Sequence, residues 1–477
     1  MKTWITDTAI KIGEHVDLFG WVGVRRDHGK LIFIDLRDRS GLVQVVFTPQ
    51  AGEAVYEAAK QLRAEWIVHI KGLVKERPQN LKNADMVTGA IEIEANNLEI
   101  LSQAQTPPFD VMSDGREIGE EIRMQKRYVD LRRARLQGNL LLRHRVIKSI
   151  RDFLSDQDFV EVETPILTKS TPEGARDYVV PSRLQQGSFY ALPQSPQQYK
   201  QLLMSGGVER YFQIARCFRD EDTRGDRQPE FTQFDMEMSF VNREDVMALN
   251  EELLIHIVKT QMPEKRIQQI PFPQMTFAQA MEQYGTDRPD VREDKDDPNL
   301  LAFVWIVDFP FFERIEDKDK NHYHPGKEWT FTHNPFSAPQ EKDVQKLLNW
   351  QALDKKEIAS ILTTQYDVVL NGWEIGGGSI RSHDRRMLEA VFGIMGQDDT
   401  SSFEHMFEAF DLGTPPHGGI AWGLDRLIMI LANEPNIREV MAFPKTGDGR
   451  DLMMRAPSEL DGKQLDELGI TIKKEEK

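Results

Sequence analysis

Along the first hundred positions, apolar residues alternate with polar ones or gather in short runs, which is the period of strands rather than helices. This pattern predicts strands over Val16 to Arg25, Leu31 to Leu36, Leu42 to Phe47, Trp66 to Val74 and Ile91 to Leu101, with turns at Gly29 and Ser40-Gly41. Between the third and fourth runs, Glu53 to Glu65 has the Ala, Leu, Glu and Lys content of a helix. Five strands with a helix after the third predict an OB-fold barrel over residues 1–104. A generic β-barrel or sandwich without a ligand fits the same pattern.

Thr106-Pro107-Pro108 ends the strand period, and a charged stretch runs on to Arg127-Tyr128-Val129-Asp130-Leu131-Arg132-Arg133. Residues 105–136 read as a hinge or docking helix. From 137 to 477 the helical patterns (Leu140 to Leu154, Glu244 to Val258, Glu341 to Leu348) mix irregularly with β runs (Tyr211 to Phe218, Phe231 to Phe240, Phe303 to Asp308, Tyr366 to Leu370). Such mixing predicts an α+β domain, an antiparallel sheet flanked by helices. The tail Lys473-Lys474-Glu475-Glu476-Lys477 reads as frayed.

Length and composition change this picture in four places. The 477 residues allow two to four domains, with 40% hydrophobic residues to fill them. The single cysteine, Cys217, excludes an internal disulfide and reads as a buried small apolar residue in a reducing compartment. Neither a signal peptide nor an apolar run of the ~20 residues that span a bilayer is present, so a cytoplasmic location is expected. The net charge of −17 argues against nucleic acid as a partner. That objection weakens locally, because residues 1–104 carry 13 basic and 14 acidic side chains, a net of −1.

Three segments carry candidate chemistry. They are Phe159-Val160-Glu161-Val162-Glu163-Thr164-Pro165, then Phe218-Arg219-Asp220-Glu221 with Glu230-Phe231-Thr232-Gln233, then Gly418-Gly419-Ile420-Ala421-Trp422-Gly423-Leu424-Asp425-Arg426. Their order and spacing resemble motifs 1, 2 and 3 of class II aminoacyl-tRNA synthetases, at about 150–165, 211–240 and 418–431. The stretches Thr171 to Asp177, Leu192 to Gln197, Lys200 to Met204, Asn371 to Arg381 and Gly413 to His417 narrow the resemblance to aspartyl-tRNA synthetases of the bacterial type. It covers nearly the whole chain.

The resemblance implies an ATP- and Mg²⁺-dependent aspartate–tRNA ligase whose partners are L-aspartate, tRNA-Asp and a second copy of the chain. In such a reaction the α-carboxylate of aspartate attacks the α-phosphorus of ATP and pyrophosphate leaves. The protein must position reactants and neutralise developing charge, for which arginine's fork of donors is suited. The resemblance places Arg219 on the α-phosphate, Arg426 on the γ-phosphate, Glu221 on the adenine amino group and Phe231 against the purine face. Gln228 and Gly419 join the nucleotide site, and Asp367 and Glu374 are hard-oxygen ligands for Mg²⁺. For aspartate it implies Arg381 and Lys200 on the side-chain carboxylate, with Asp235 holding both, His333 as a third donor and Gln233 close by. Ser195, Gln197 and Glu173 go to the α-ammonium.

On the barrel the resemblance assigns Phe33 and Gln44 to the anticodon, with Arg26, His28, Arg77 and Glu92 around them. In the motif 2 loop it assigns Asp222, Arg224 and Arg227 to the acceptor end. Residue by residue, bland readings remain open. Lys200 fits a helix surface, Asp367 and Glu374 fit solvated turns, and Phe231 fits a core.

Two departures stand out. Bacterial relatives carry a large insertion where Tyr284 to Asp290 here leads, through Val291 to Leu300, into Phe303 to Pro310. Asn334 stands where they repeat a histidine after His333. His28 in the first hairpin implies acceptance of tRNA-Asn as well, although the loop Arg77 to Leu81 lacks the glycine that often accompanies it. The rival readings are an asparaginyl- or lysyl-tRNA synthetase, a non-catalytic tRNA-binding paralogue and an ammonia-dependent asparagine synthetase. A paralogue should have lost Arg219, Glu374 or Arg426, and the synthetase has no use for the barrel.

Overall fold

The computed structural model describes residues 2–84, 86–170, 174–315, 327–397 and 399–473. The chain divides into two compact units, Met1–Gly138 and Asn139–Lys477.

In the first unit, β1 (His15–His28), β2 (Leu31–Asp38), β3 (Gly41–Phe47), β4 (Ile67–Glu76) and β5 (Ile91–Ser102) close into a barrel in the order β1-β2-β3-β5-β4. Helix α1 (Glu53–Gln61) lies between β3 and β4 in sequence, so the expected OB-fold is present. Alternation decides the core. Val16, Leu18, Val22, Ile32, Ile34, Leu36, Val43, Val45 and Phe47 point inward and are buried, while the residues between them face outward. Residues 105–136 belong to this unit. Arg132 pairs with buried Glu65 at 2.8 Å, and Arg37 donates to the Met112 sulfur at 3.2 Å and to both oxygens of Glu65.

The second unit is built on an eight-stranded sheet. Its strands are β6 (Val160–Glu161), β7 (Arg210–Phe218), β8 (Glu230–Ser239), β9 (Gln274–Thr276), β10 (Phe303–Val307), β11 (Tyr366–Leu370), β12 (Trp373–Ile380) and β13 (His417–Gly423). Their spatial order is β9-β10-β11-β12-β13-β8-β7-β6. The six inner strands are antiparallel, as expected, but both edge pairs, β9 with β10 and β6 with β7, are parallel. The sheet is therefore mixed. Its edge strands are two and three residues long, too short for the sequence pattern to reveal their direction.

One face of the sheet packs on helices α2 (Ala134–Ser155), α4 (Arg243–Gln261) and α5 (Leu424–Leu431). Leu142, Val146, Ile150 and Leu154 form an i, i+4 stripe on α2 and join Phe234, Met236, Met238, Trp305, Tyr366, Trp422 and Leu427 in one core. Helix α4 starts at a capping box, Asn242 with Asp245. The expected helix over Glu341 to Leu348 is a 3₁₀ turn, Glu341–Asp343, followed by a short α-helix, Val344–Leu348. No helix among the described residues is long and apolar enough to cross a membrane.

Candidate active site and nucleic-acid interface

Strand β8 organises the site through its period of two. Phe234, Met236 and Met238 point into the core, so Phe231, Gln233, Asp235 and Glu237 share the opposite face. Six residues of strand at about 3.3 Å each stretch this row over roughly 20 Å. It begins at a cavity of about 280 Å³ lined by Arg219, Glu221, Gln228, Phe231, Gln233, Glu374, Gly423 and Arg426. These residues, distant in sequence, are brought together by the pairing of β8 with β7 and β13 and of β13 with β12. The Arg219 guanidinium lies 5.2 Å from the centre of the Phe231 ring. Gln228 is fixed by the Lys445 amide, which donates to its Oε1 at 2.8 Å.

The far end of the row is a buried four-charge cluster. Lys200, on α3 (Gln197–Ser205), donates to Asp235 at 2.7 Å and lies 3.2 Å from Glu237. Arg381, just past β12, donates through Nε and Nη2 to Glu237 at 2.8 and 3.1 Å, and to Ser379 Oγ and the Gly419 carbonyl. All four side chains are at most 2% exposed. Two expectations need correction. Asp235 holds Lys200 only, and Glu237, absent from the sequence-based site, holds Arg381. Neither cation is unpaired. Strand alternation was the signal that could have found Glu237, two positions beyond Asp235. Desolvation raises the Asp235 carboxyl, whose Oδ2 has no hydrogen-bond partner. Burial also disfavours a charged Glu237, but Arg381 and Lys200 outweigh it and hold that carboxyl down to about 2.

Glycine makes room for this cluster. A Cβ at Gly419 would overlap the Met236 carbonyl and the Glu237 carboxylate. Gly419 therefore serves the packing of β13 on β8, while Gly376, Ala421 and Gly423 line the cavity.

Asp367 and Glu374 lie on adjoining strands β11 and β12. Burial, with Asp367 nearby, raises the Glu374 carboxyl. Asp367 is held by Gln365 at 2.7 Å and His333 at 3.0 Å. Burial opposes a charged His333, yet Asp367 and Glu374 raise it to about 9, an imidazolium. Two neighbouring carboxylates, one pushed toward neutrality, fit a hard divalent cation shared with phosphate oxygens. No group of three or more such ligands occurs among the described residues. Asn334 accepts from the Phe336 amide at 3.0 Å and shapes the turn after His333.

Ser195 lines a second cavity of about 300 Å³ with Gln194, Gln198, Tyr199 and His405. The Gln197 side-chain nitrogen is buried without a hydrogen-bond partner. Glu173 lies outside the described residues. Asp222, Arg224 and Arg227 are exposed and, with Gly174, Arg176 and His333, line a cavity of about 790 Å³. Cys217 is buried, as expected, and donates to Gln233.

On the barrel, Arg26, Phe33 and Gln44 share one outward face. Arg26 pairs with Phe33 in the ladder and Asp35 with Gln44. Arg26 makes a two-point ion pair with Asp35, at 2.7 Å each, a partner the sequence reading missed. Gln44 donates to Glu92 at 3.0 Å, and the His28 ring meets Phe33 edge-on at 5.8 Å. Arg77 is buried and donates to the Ile91 carbonyl at 2.8 Å, so its guanidinium supports the barrel wall.

An OB-fold barrel in one chain with an arginine-lined sheet, antiparallel through its six inner strands, is the arrangement of class II tRNA synthetases of this kind. Residues 119–447 match the family described as tRNA synthetases class II (D, K and N), and residues 16–101 match the OB-fold nucleic acid binding domain. The chain is 38% identical to the aspartate–tRNA(Asp/Asn) ligase of Dehalococcoides mccartyi (strain CBDB1), over 98% of each. It is 39% identical to the aspartate–tRNA ligase of Bacillus licheniformis, again over 98% of each. A third relative, the aspartate–tRNA(Asp/Asn) ligase of Rubrobacter xylanophilus, is 41% identical over 97% of this chain and 95% of that one. The chain therefore belongs to the aspartate–tRNA ligases, ATP-dependent enzymes of class II.

The alignment with the Dehalococcoides enzyme runs over 604 positions, 127 more than the 477 residues present here (604 − 477). That relative thus carries a substantial length without counterpart in this chain. Among solved structures, the asparaginyl-tRNA synthetase of Pyrococcus horikoshii superposes with TM-score 0.72 at 22% identity, over 94% of this chain and 98% of that one. The aspartyl-tRNA synthetase of Entamoeba histolytica gives 0.71 at 22%, over 93% and 91%. At that identity the likeness speaks for the fold.

Proposed function

We propose that this enzyme activates L-aspartate with ATP and transfers the aspartyl group to tRNA-Asp. Lys200 and Arg381 at the end of the β8 row carry this reading, because an incoming side-chain carboxylate can compete with Asp235 and Glu237 for two cations. Phe231 and Glu221 take the adenine, Arg219 the α-phosphate and Arg426 the γ-phosphate. Asp367 and Glu374 hold Mg²⁺, which supplies charge neutralisation on the phosphates when bound. Lys200 and Arg381 bind the side-chain carboxylate, with His333 and Gln233 close by. Ser195, Gln197 and Glu173 take the α-ammonium.

The α-carboxylate oxygen forms a bond to the α-phosphorus as the bond to the pyrophosphate oxygen breaks. Arg219 neutralises the charge that builds on the equatorial oxygens. In the second step a 3′-terminal hydroxyl of tRNA attacks the activated carbonyl and AMP leaves. Arg26, His28, Phe33, Gln44 and Glu92 offer the barrel's base-reading face, and Asp222, Arg224 and Arg227 receive the acceptor end. Aspartate-dependent exchange of pyrophosphate into ATP tests the first step. Turnover with aspartate and none with asparagine or lysine is expected, and exchange driven equally by asparagine or lysine would refute the assignment.

We also infer a homodimer. Val160, Ile166, Leu167, Val179, Val180, Phe189 and Tyr190, around motif 1 and the hairpin after it, are exposed apolar side chains, a feature of surfaces that pair. Sedimentation should give about twice 55.0 kDa. A fully active monomer at assay concentration would refute the pairing.

A further inference from the structure

Asp226 sits at the tip of the loop between β7 and β8, and that loop is pinned over the nucleotide cavity. The Ile437 amide donates to the Gly225 carbonyl at 3.0 Å, and Arg224 and Arg227 exchange backbone hydrogen bonds at 3.2 Å. So held, the Asp226 carboxylate lies 2.9 Å from Nη2 of Arg426, with the two side chains 14% and 18% exposed. Arg426 also donates through Nη1 to the Glu374 carbonyl, while its Nε is buried without a hydrogen-bond partner. Asp226 and Arg426 line the same cavity as Arg219, Glu221 and Phe231. A carboxylate therefore occupies the arginine that the proposed reading gives to the terminal phosphate of ATP.

We propose that Asp226 is a resident stand-in for that phosphate. It neutralises Arg426 while the site holds no triphosphate, and it has to leave when ATP arrives. A largely buried guanidinium without a counter-ion is unfavourable, which gives the nucleotide-free enzyme a reason to keep the pair. A carboxylate and a terminal phosphate cannot share one face of a guanidinium, since like charges a few ångströms apart repel. The phosphate carries more charge and more acceptor oxygens, and it can also engage the free Nε, so it displaces the carboxylate.

The consequence reaches beyond ATP. Asp222, Arg224 and Arg227 belong to the same loop and face the larger cavity beside it. Release of Asp226 re-aims them, so the loop changes when the terminal phosphates are bound and not before. AMP, which lacks those phosphates, leaves Asp226 on Arg426.

This inference rests on Arg426 as the γ-phosphate contact, and the test separates the two claims. ATP and AMP are titrated calorimetrically into the parent and Asp226→Asn, with Mg²⁺ and without aspartate. ATP should bind the variant about fivefold more tightly, the scale of one partly screened ion pair, and AMP should bind both proteins alike. In the parent, amide hydrogen exchange over residues 223–227, away from the adenine contacts, should change with ATP and not with AMP, which needs no variant at all. ATP affinity that is unchanged or weakened in Asp226→Asn, equal tightening of AMP, or exchange that does not distinguish the nucleotides overturns the proposal. Failure of the underlying reading has its own mark: Arg426→Ala that binds ATP as well as the parent removes Arg426 from the phosphate site.

Discussion

Arg381 donates to both carboxylate oxygens of Glu237, at 2.8 and 3.1 Å, in a two-point ion pair with almost no exposed surface. The pair makes stability depend on pH with a definite sign. Glu237 is held at about 2 against the usual 4.5. A depressed carboxyl contributes its full stability above the unfolded value and loses it as pH falls toward the folded one. Glu237→Gln should destabilise the protein by on the order of 3 kcal/mol at neutral pH. In urea unfolding, the gap between parent and variant should hold steady above about pH 5 and narrow below it. A gap that does not change down to about pH 3 would contradict the account.

Arg381→Leu should lose aspartate activation far more than ATP binding. Removing a charge-assisted two-point contact is worth on the order of 2–5 kcal/mol in kcat/KM for aspartate. A variant that activates aspartate within about threefold of the parent would take Arg381 out of the substrate pocket.

The metal requirement should tighten with pH. Burial and the neighbouring Asp367 raise the Glu374 carboxyl, so protons compete with Mg²⁺ for it. The half-saturating Mg²⁺ concentration in pyrophosphate exchange should rise as pH is lowered. Asp367→Asn removes the nearby negative charge and should flatten that dependence. An equally steep dependence in the variant would dissociate the pair from the metal.

For tRNA choice, aspartylation of tRNA-Asp and tRNA-Asn transcripts should differ by less than about thirtyfold, or 2 kcal/mol. His28 sits edge-on to Phe33 on the proposed base-reading face. An imidazole can donate or accept, so it enforces no single base pattern. A preference for tRNA-Asp above about a thousandfold would make the enzyme discriminating.

Much of this architecture was legible from alternation. All five barrel strands and four of the six inner strands of the large sheet, β7, β8, β10 and β11, were readable from their apolar runs, whereas the glycine-rich β12 and β13 were not. Motif residues such as Arg219, Phe231 and Arg426 do converge on one cavity. What escaped was decided by pairing between distant segments. Glu237 acquires its meaning only when Arg381, 144 positions away, folds onto it. Asp35 drew no attention in the sequence, and Arg26 closes on it across the hairpin. Arg77 looked like an RNA contact and is instead buried against the barrel wall.

The glycine at 419 carries a last implication, one about ancestry. No side chain fits there while Glu237 keeps its place, and Glu237 cannot leave while Arg381 stays charged and enclosed. These positions are locked to one another, so a descendant with a taste for a different amino acid cannot be reached by changing them singly. Each lone step leaves a buried charge without its partner or a side chain without room. Diversification at this end of the cleft calls for concerted replacement, whereas residues of the exposed loop and barrel face can each be changed without breaking a buried charge cluster.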